Sequence, residues 1–262
     1  MANALLVGVI HLPALPGSPR SAKSAEVCAR EAADDARVLA EAGYDAIIVE
    51  NFGDAPFFAT KVPAVTVAAM TACAVAVRAA APATPLGINV LRNDADAAIS
   101  VAVCTGASFV RINVHTGARV TDQGIVQGEA AATLRLRRTL GAETLAIWAD
   151  VDVKHSAPLG AARPLVQEVE DLTKRGMADV VLVTGEGTGK GVDLEKLAAV
   201  KAASGKPVLV ASGATLFSLS ALATSSDGVI VGSALRVGGI PGGAIDARLA
   251  KEFAAAFRQA FA

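Results

Sequence analysis

The chain has 262 residues, of which 53% are hydrophobic and 19% are charged. A chain of this length and hydrophobicity can bury a large core. Its 24 Lys and Arg residues nearly balance its 25 Asp and Glu residues, which gives a net charge of −1. This balance disfavours a nucleic-acid-binding protein or a polybasic membrane-binding protein, because both depend on an excess of positive charge.

The cysteines and the apolar segments indicate a cytoplasmic protein without a transmembrane segment. Cys28, Cys73 and Cys104 are odd in number and widely spaced, which fits neither a disulfide framework nor a metal site, so we predict reduced thiols in or near the core. The N-terminus lacks the basic region of a signal peptide, and the apolar run 62–77 is too short to cross a bilayer. We predict a buried helix there, with a subunit interface on one side as the alternative, and we expect a homo-oligomer.

Short β-branched runs alternate with longer Ala-rich helical runs along the whole chain, which is typical of repeated βα units. Three junctions from helix to strand carry a glycine, at Gly43, Gly106 and Gly176, where a helix C-cap requires a positive φ. The pattern predicts eight strands, each followed by a helix, at residues 5–10, 45–50, 86–90, 109–113, 145–153, 179–183, 207–211 and 228–231.

Eight βα units without a linker predict a closed (β/α)₈ barrel that forms one domain over residues 1–262. An open, doubly wound sheet is the alternative. It normally has fewer strands and a Gly-rich turn after the first strand. Here residues 11–17 follow the first strand and contain two prolines, which disfavours the open sheet.

Polar residues follow the apolar run of every predicted strand, at the end of the barrel where catalytic groups lie. Strand alternation places Asp150, Asp152 and Lys154 on one face. We expect the carboxylates of Asp150, Asp152 and Glu50 to face the cations of Arg111 and Lys154. A salt-bridge network that only closes the barrel is the alternative, but stability alone does not require polar groups on all eight strands. The candidates on strands one to six are His11, Glu50, Asn89, Arg111, Asn113, His115, Asp150, Asp152, Lys154 and Thr184.

We predict that Glu50 and Asp150 act as general base and general acid, since two carboxylates in different environments have different pKa values. Arg111, with Asn89 and Asn113, would orient hydroxyl groups or stabilise negative charge. Lys154 is a candidate Schiff-base nucleophile. Neighbouring carboxylates would keep it protonated, however, which favours an electrostatic role.

The turns after strands seven and eight contain Ser212 with Gly213 and Gly232 with Ser233. Many barrels bind phosphate in this pair of loops, because glycine allows close approach of backbone N–H groups and serine adds a hydroxyl donor. Ordinary strand-to-helix turns with serine as N-cap are the alternative. The presence of both turns favours phosphate binding.

Two further loops are candidates for function. The glycine-rich segment 184–191 lacks the spacing of a P-loop or a dinucleotide loop, and we predict a mobile loop over the barrel mouth. Residues 115–124 form a polar insertion after the fourth strand that is longer than the connection needs. Within it, Asp122 is predicted either to bind substrate or to cap a local turn.

Several segments together resemble the BtpA/SgcQ family over nearly the whole chain. The resemblance implies a (β/α)₈ barrel of the phosphate-binding type, in a family named for the biogenesis of a photosynthetic membrane complex. The turn at 211–215 (ASGAT) departs slightly from the GSGVT expected there. The matching segments are 8–13 (GVIHLP), 15–19 (LPGSP), 49–57 (VENFGDAPF), 87–94 (GINVLRND), 111–117 (RINVHTG), 121–124 (TDQG), 149–155 (ADVDVKH), 183–185 (VTG) and 232–233 (GS).

Three functions fit the sequence. The first is an enzyme that uses general acid–base chemistry on a phosphorylated sugar or a ribosyl or nucleotide-like metabolite. The second is a non-enzymatic assembly factor for a larger complex, as the family name implies. The third is an enzyme with Mg²⁺ or Mn²⁺ bound by Glu50, Asp150, Asp152 and His11, although the sequence requires no cofactor.

Overall fold

A closed barrel of eight parallel strands forms the centre of the computed structural model, which describes residues 4–185 and 191–262. The strands are β1 (Leu5–His11), β2 (Ala46–Glu50), β3 (Leu86–Asn89), β4 (Phe109–Ile112), β5 (Ala118–Thr121), β6 (Gly124–Gln127), β7 (Ala146–Val151), β8 (Ser156–Pro158), β9 (Val180–Val183), β10 (Val208–Val210) and β11 (Gly228–Val231). The barrel contains β1 to β4, β7 and β9 to β11 in sequential order, and β1 pairs with both β2 and β11. The predicted closed barrel is therefore confirmed, and the open sheet is excluded.

Helices follow the barrel strands as the hydrophobic pattern predicts. A π-helical turn, Asp171–Arg175, extends the fifth helix, and 3₁₀ turns occur at Phe52–Asp54, Ser233–Leu235 and Val237–Gly239. The α-helices are α1 (Ala25–Glu41), α2 (Ala64–Ala80), α3 (Ala95–Thr105), α4 (Ala130–Thr139), α5 (Leu165–Glu170), α6 (Leu194–Ser204), α7 (Leu219–Leu222) and α8 (Ala247–Ala260).

Two of the three predicted glycine caps have the expected backbone conformation. Gly43 has a φ of 81° and Gly106 has a φ of 65°, both in the left-handed region. The prediction for Gly176 is wrong, because its φ is −74°. Because a π-helical turn precedes Gly176, the left-handed conformation occurs one residue later, at Met177, which has a φ of 54°.

The barrel interior is apolar at the N-terminal ends of the strands and polar at their C-terminal ends. Phe109 and Trp148 stack inside it with ring centroids 3.8 Å apart. Gly87 makes room for this pair, since a Cβ there would lie 2.2 Å from the Phe109 ring. At the other end, the register pairs His11 with Glu50, and Asn89 with Arg111, so that neighbouring strands bring their polar residues together.

The insertion after β4 forms part of a small antiparallel sheet with the order β6, β5, β8. Residues 115–124 were predicted only as a loop, whereas they contain β5 and the turn into β6. These strands are only three or four residues long, too short for their alternation to stand out in the sequence. Buried Val114, Val126 and Val153 form a separate apolar cluster that joins this sheet to the barrel.

The thiols and the apolar helix α2 differ partly from expectation. Cys28 and Cys73 are buried and free, but Cys104 is exposed, so its predicted place in or near the core is wrong. It lies on the outward face of α3 rather than the face that packs on the barrel. Among the described residues, none of the helices is long and apolar enough to span a membrane. Val65 and Val75 of α2 are exposed, and a subunit interface there stays a prediction.

Candidate functional site

A cavity of about 220 Å³ opens at the C-terminal ends of the barrel strands. It brings together candidate residues from the ends of four barrel strands and from both predicted phosphate turns. Phe52, Phe57 and Arg92 contribute further lining. The predicted site residues that line it are His11, Glu50, Arg111, Asn113, Lys154, Ser212, Gly213, Gly232 and Ser233.

Arg111 and Asp150 form a buried ion pair beneath this cavity. Arg111 Nε and Nη2 donate hydrogen bonds to the two Asp150 carboxylate oxygens, at 3.0 and 2.9 Å. Asn113 Nδ2 donates a third, at 3.0 Å. Burial opposes the charge on Arg111, but the adjacent Asp150 carboxylate outweighs it and raises the pKa of the guanidinium. The Asp150 side chain has no exposed surface, so its carboxylate serves mainly to hold Arg111.

Glu50 lies on the other side of Arg111 in a different environment. The closest contact between them is 3.8 Å, from Arg111 Nη1 to Glu50 Oε2. Within the described part of the chain, no group donates a hydrogen bond to the Glu50 carboxylate, although the residue is only 7% exposed. Its oxygens are therefore available to a molecule in the cavity.

Lys154 extends from the end of β7 towards the turn after β10. Its backbone N–H donates to Thr184 Oγ1 at 2.9 Å, and its Nζ donates to Ser212 Oγ at 3.3 Å. Burial, and then the positive charge of Arg111, lower the pKa of the Lys154 amine. The expected pairing with Asp152 does not form. The Thr184 side chain therefore binds the backbone of Lys154.

His11 is a neutral hydrogen-bond donor at the cavity wall. Its ring stacks on Phe52 at 4.4 Å, and its Nδ1 accepts a hydrogen bond from the Gly242 backbone N–H at 3.3 Å. The proton therefore lies on Nε2. Burial, with the charges of Arg236, Lys154 and Arg111, lowers the pKa of His11 well below its usual value.

The two predicted phosphate turns face the same cavity. Gly213 has a φ of 82°, a conformation that favours glycine. Gly232 lies against His11: a Cβ on Gly232 would be 2.9 Å from His11 Cε1 and 3.0 Å from Nε2. The local structure therefore favours glycine at both positions even without a ligand. The absence of a side chain also leaves the backbone accessible to a ligand.

Arg236, which was not predicted as a site residue, fixes the turn after β11. It is buried and donates to the carbonyl oxygens of Gly232 at 2.6 Å, Gly243 at 2.9 Å and Val9 at 3.2 Å. The signal that could have found it is a single arginine in the otherwise uncharged stretch 228–245. A buried cation in such a stretch needs several acceptors, and backbone carbonyls are the ones available.

Three predicted residues lie away from the cavity. Asp152 follows the last residue of β7 and has a φ of 49°, so strand alternation ends before it and its carboxylate pairs with Arg119 at 2.9 Å and with Lys196. Asp122 lies at the turn between β5 and β6, is 68% exposed and pairs with Arg92 at 3.2 Å. His115 is buried, and its Nε2 donates to the Gly176 carbonyl at 2.7 Å.

Asn89 lies inside the barrel, below the cavity. Its Nδ2 donates to Asn113 Oδ1 at 3.1 Å and to the Arg111 carbonyl at 3.0 Å. It therefore supports the two residues that contact Asp150. Its own Oδ1 is buried and has no partner in the described structure.

The four residues proposed as metal ligands do not converge. Asp150 binds Arg111, and Asp152 pairs with Arg119 on the small sheet. Over residues 4–185 and 191–262, no three His, Cys, Asp or Glu side chains are grouped as metal ligands. Residues 186–190, the centre of the predicted mobile loop, lie outside the described residues.

Comparisons with solved structures show the same fold. Thiamine phosphate pyrophosphorylase from Pyrococcus furiosus superimposes with a TM-score of 0.61 at 16% identity, covering 99% of this chain and 98% of that one. N-(5'-phosphoribosyl)anthranilate isomerase from the same organism gives a TM-score of 0.58 at 15% identity, covering 97% and 99%. Both likenesses are limited to the fold.

Sequence comparisons identify the family. The photosystem I biogenesis protein BtpA of Synechocystis sp. is 44% identical over 92% of this chain and 83% of its own length. An uncharacterized protein of Pyrococcus furiosus is 43% identical over 89% of this chain and 87% of its own length. The BtpA family model matches residues 2–259. The resemblance seen in the sequence motifs is confirmed, and the chain belongs to the BtpA family.

Proposed function

We propose that this protein is an enzyme that binds a phosphorylated small molecule, a sugar phosphate or a ribosyl or nucleotide-like metabolite, and transforms it by proton transfer at the barrel mouth. One observation carries the proposal: a single cavity joins the Gly213 and Gly232 turns to Glu50, a carboxylate with free oxygens. A phosphate at the turns would place the rest of the molecule beside Glu50.

The hydrogen-bond donors around the two turns support the proposal that the phosphate binds there. Ser212 and Ser233 carry hydroxyl groups in the cavity lining, and Lys154 Nζ reaches Ser212 Oγ. Backbone N–H groups of glycine turns and serine hydroxyls are common phosphate donors in barrels of this type. The two solved structures of similar fold carry phosphate-containing compounds in their names, which agrees with this assignment.

The reacting end of the ligand would meet Glu50 as the group that accepts or donates a proton. Arg111 would stabilise negative charge that develops on the substrate, and Asp150 would hold its guanidinium in place. We therefore assign Asp150 to positioning and Glu50 to proton transfer, in place of a symmetric acid–base pair. His11 Nε2 is a neutral donor on the same cavity wall.

An assembly role is the second candidate, because the Synechocystis relative is named as a photosystem I biogenesis protein. A protein of that kind acts through its surface and needs no carboxylate with free oxygens inside a cavity. The two candidates therefore differ in the effect of Glu50→Gln. This substitution removes proton transfer and leaves the outer surface unchanged.

A thermal-shift screen against phosphosugars and nucleotides, with and without Mg²⁺, tests the proposal. A ligand at a hundredfold excess over its Kd should raise the Tm by about 5 °C or more. Turnover of the compounds that bind should then be lost in Glu50→Gln and retained in Glu252→Gln, an exposed glutamate on α8. Failure of every phosphorylated compound to stabilise the protein would contradict the proposal.

A further inference from the structure

We propose that Lys154 forms an imine with the carbonyl carbon of the substrate, and that the substrate is a phosphorylated aldehyde or ketone. This inference rests on the proposed function, because it places the phosphate of the substrate at the Ser212 and Gly232 turns. It adds a covalent step and a substrate class to that site.

The Lys154 amine lies in an unusual environment. Of the seven other lysines that the structure describes, five form ion pairs with carboxylates and two, Lys206 and Lys251, are exposed. Lys154 is half-buried, and its Nζ has no carboxylate oxygen within 4.0 Å among the described residues. Its hydrogen-bond partner there is the neutral Ser212 hydroxyl. An amine must lose its proton to attack a carbonyl group, and a paired carboxylate would oppose that loss. The five paired lysines are Lys23, Lys61, Lys174, Lys196 and Lys201.

Lys154 is half-buried beside Arg111. Its partial burial and the positive charge of Arg111 lower the pKa of its amine, against the opposing charges of Glu50 and Asp150. The Arg111 charge is fixed, because Asp150 holds the guanidinium through two hydrogen bonds. A larger share of the Lys154 amine is therefore uncharged at neutral pH than for a lysine in water.

The cavity also supplies a group for the proton transfers. The Glu50 carboxylate takes a proton from the Lys154 ammonium group. The amine lone pair then attacks the carbonyl carbon as the C=O π bond breaks, and a proton moves from the nitrogen to the oxygen to give a carbinolamine. Glu50 returns its proton to the hydroxyl group, the C–O bond breaks, and water leaves as the iminium ion forms. Glu50 lines the same cavity as Lys154, and its carboxylate accepts no hydrogen bond from the described residues.

The position of Nζ limits the distance between the phosphate and the carbonyl group. Lys154 Nζ lies 3.3 Å from Ser212 Oγ, which belongs to the proposed phosphate turn. A substrate whose phosphate binds at this turn must carry its carbonyl carbon only a few bonds away to meet the amine. Short phosphorylated carbonyl compounds, such as dihydroxyacetone phosphate and glycolaldehyde phosphate, meet this requirement and serve as probes.

Reductive trapping tests the inference. The full-length protein is incubated with each probe and borohydride, which reduces an iminium ion to a stable secondary amine, and the modified lysine is located by peptide mass spectrometry. We expect one adduct per chain, on Lys154. Dihydroxyacetone, which lacks the phosphate, should label about tenfold less, because charge-assisted hydrogen bonds to a phosphate contribute about that much to affinity. Inorganic phosphate should compete with the phosphorylated probes.

Two variants control the assignment. Lys154→Arg keeps the positive charge and should abolish the adduct, whereas Lys196→Arg, which changes a paired lysine at the same end of the barrel, should leave it unchanged. Labelling that persists in Lys154→Arg, or that is absent with both probes, overturns the inference. If inorganic phosphate still stabilises the protein in that case, the phosphate site stands and the imine alone is wrong. If phosphate has no effect on Tm, the proposed function fails with it.

Discussion

Arg111 binds Asp150 through two hydrogen bonds, at 3.0 and 2.9 Å, and this pair divides the roles of the carboxylates at the barrel mouth. Both Asp150 oxygens bind the guanidinium, and one of them also accepts a hydrogen bond from Asn113. Glu50 approaches the same arginine only to 3.8 Å. The site therefore contains one carboxylate that builds the cavity and one that is free to react.

This difference should appear in the stability of two variants. Asp150→Asn removes the charge that compensates buried Arg111, and we expect it to lower the free energy of unfolding by about 3 kcal/mol or more. Glu50→Gln leaves the ion pair between Arg111 and Asp150 intact and should change the free energy of unfolding by less than about 1 kcal/mol. Urea denaturation of both variants measures the two values. Equal losses would show that Glu50 belongs to the same structural network.

Gly232 should be needed for the position of His11. Gly232→Ala places a methyl group about 3 Å from the ring, which must move, and we expect a loss of about 1–3 kcal/mol in stability with weaker phosphate binding. Gly117→Ala is the control, because its φ of 72° makes alanine unfavourable while the space around the new methyl group is open. It should lower stability and leave the thermal shift with phosphate unchanged. An unaltered phosphate response in Gly232→Ala would argue against this turn as the anion site.

Histidine burial should make the fold sensitive to mild acid. The pKa values of His11 and His115 are lowered, chiefly by burial, so below pH 6.5 the unfolded chain takes up protons that the folded chain does not. Stability is therefore complete above pH 6.5 and is lost as the pH falls, by about 1.4 kcal/mol per pH unit for each histidine.

Denaturation at pH 7.0 and 5.5 checks this sensitivity, with His11→Gln as the comparison. We expect a smaller decrease for the variant, because one of the two histidines with a lowered pKa has been removed. An equal decrease in both proteins would mean that His11 is protonated as readily in the folded state as in the unfolded chain.

The sequence predicted the barrel because its signals are local and repeated. Each of the eight strands, such as β1 and β9, is a short β-branched run between Ala-rich helices, and all eight overlap their predicted ranges. The three strands of the small sheet were missed. β5 and β6 form a hairpin of very short strands, and the pairing of β5 with β8 joins segments that are distant in sequence, as when Val120 pairs with Ala157.

Site membership could be predicted more readily than the role of each residue. Position at a strand end brought Glu50, Arg111 and Lys154 to the cavity, because parallel strands end at one side of the barrel. Alternation failed for Asp152, since β7 ends at Val151 and the backbone then turns. The division between Asp150 and Glu50 depends on which oxygen meets which arginine nitrogen. That information exists only in the folded arrangement.

In the proposed function, the turns at Gly213 and Gly232 together bind the phosphate of a small molecule. Backbone amide NMR during titration with inorganic phosphate, against chloride at equal ionic strength, tests it most directly. We expect the amide signals of Gly213 and Gly232 to shift together along one binding curve, and those of Gly43 and Gly106 at the helix caps to stay unchanged. No shift at either turn, or independent curves for the two glycines, would contradict the claim.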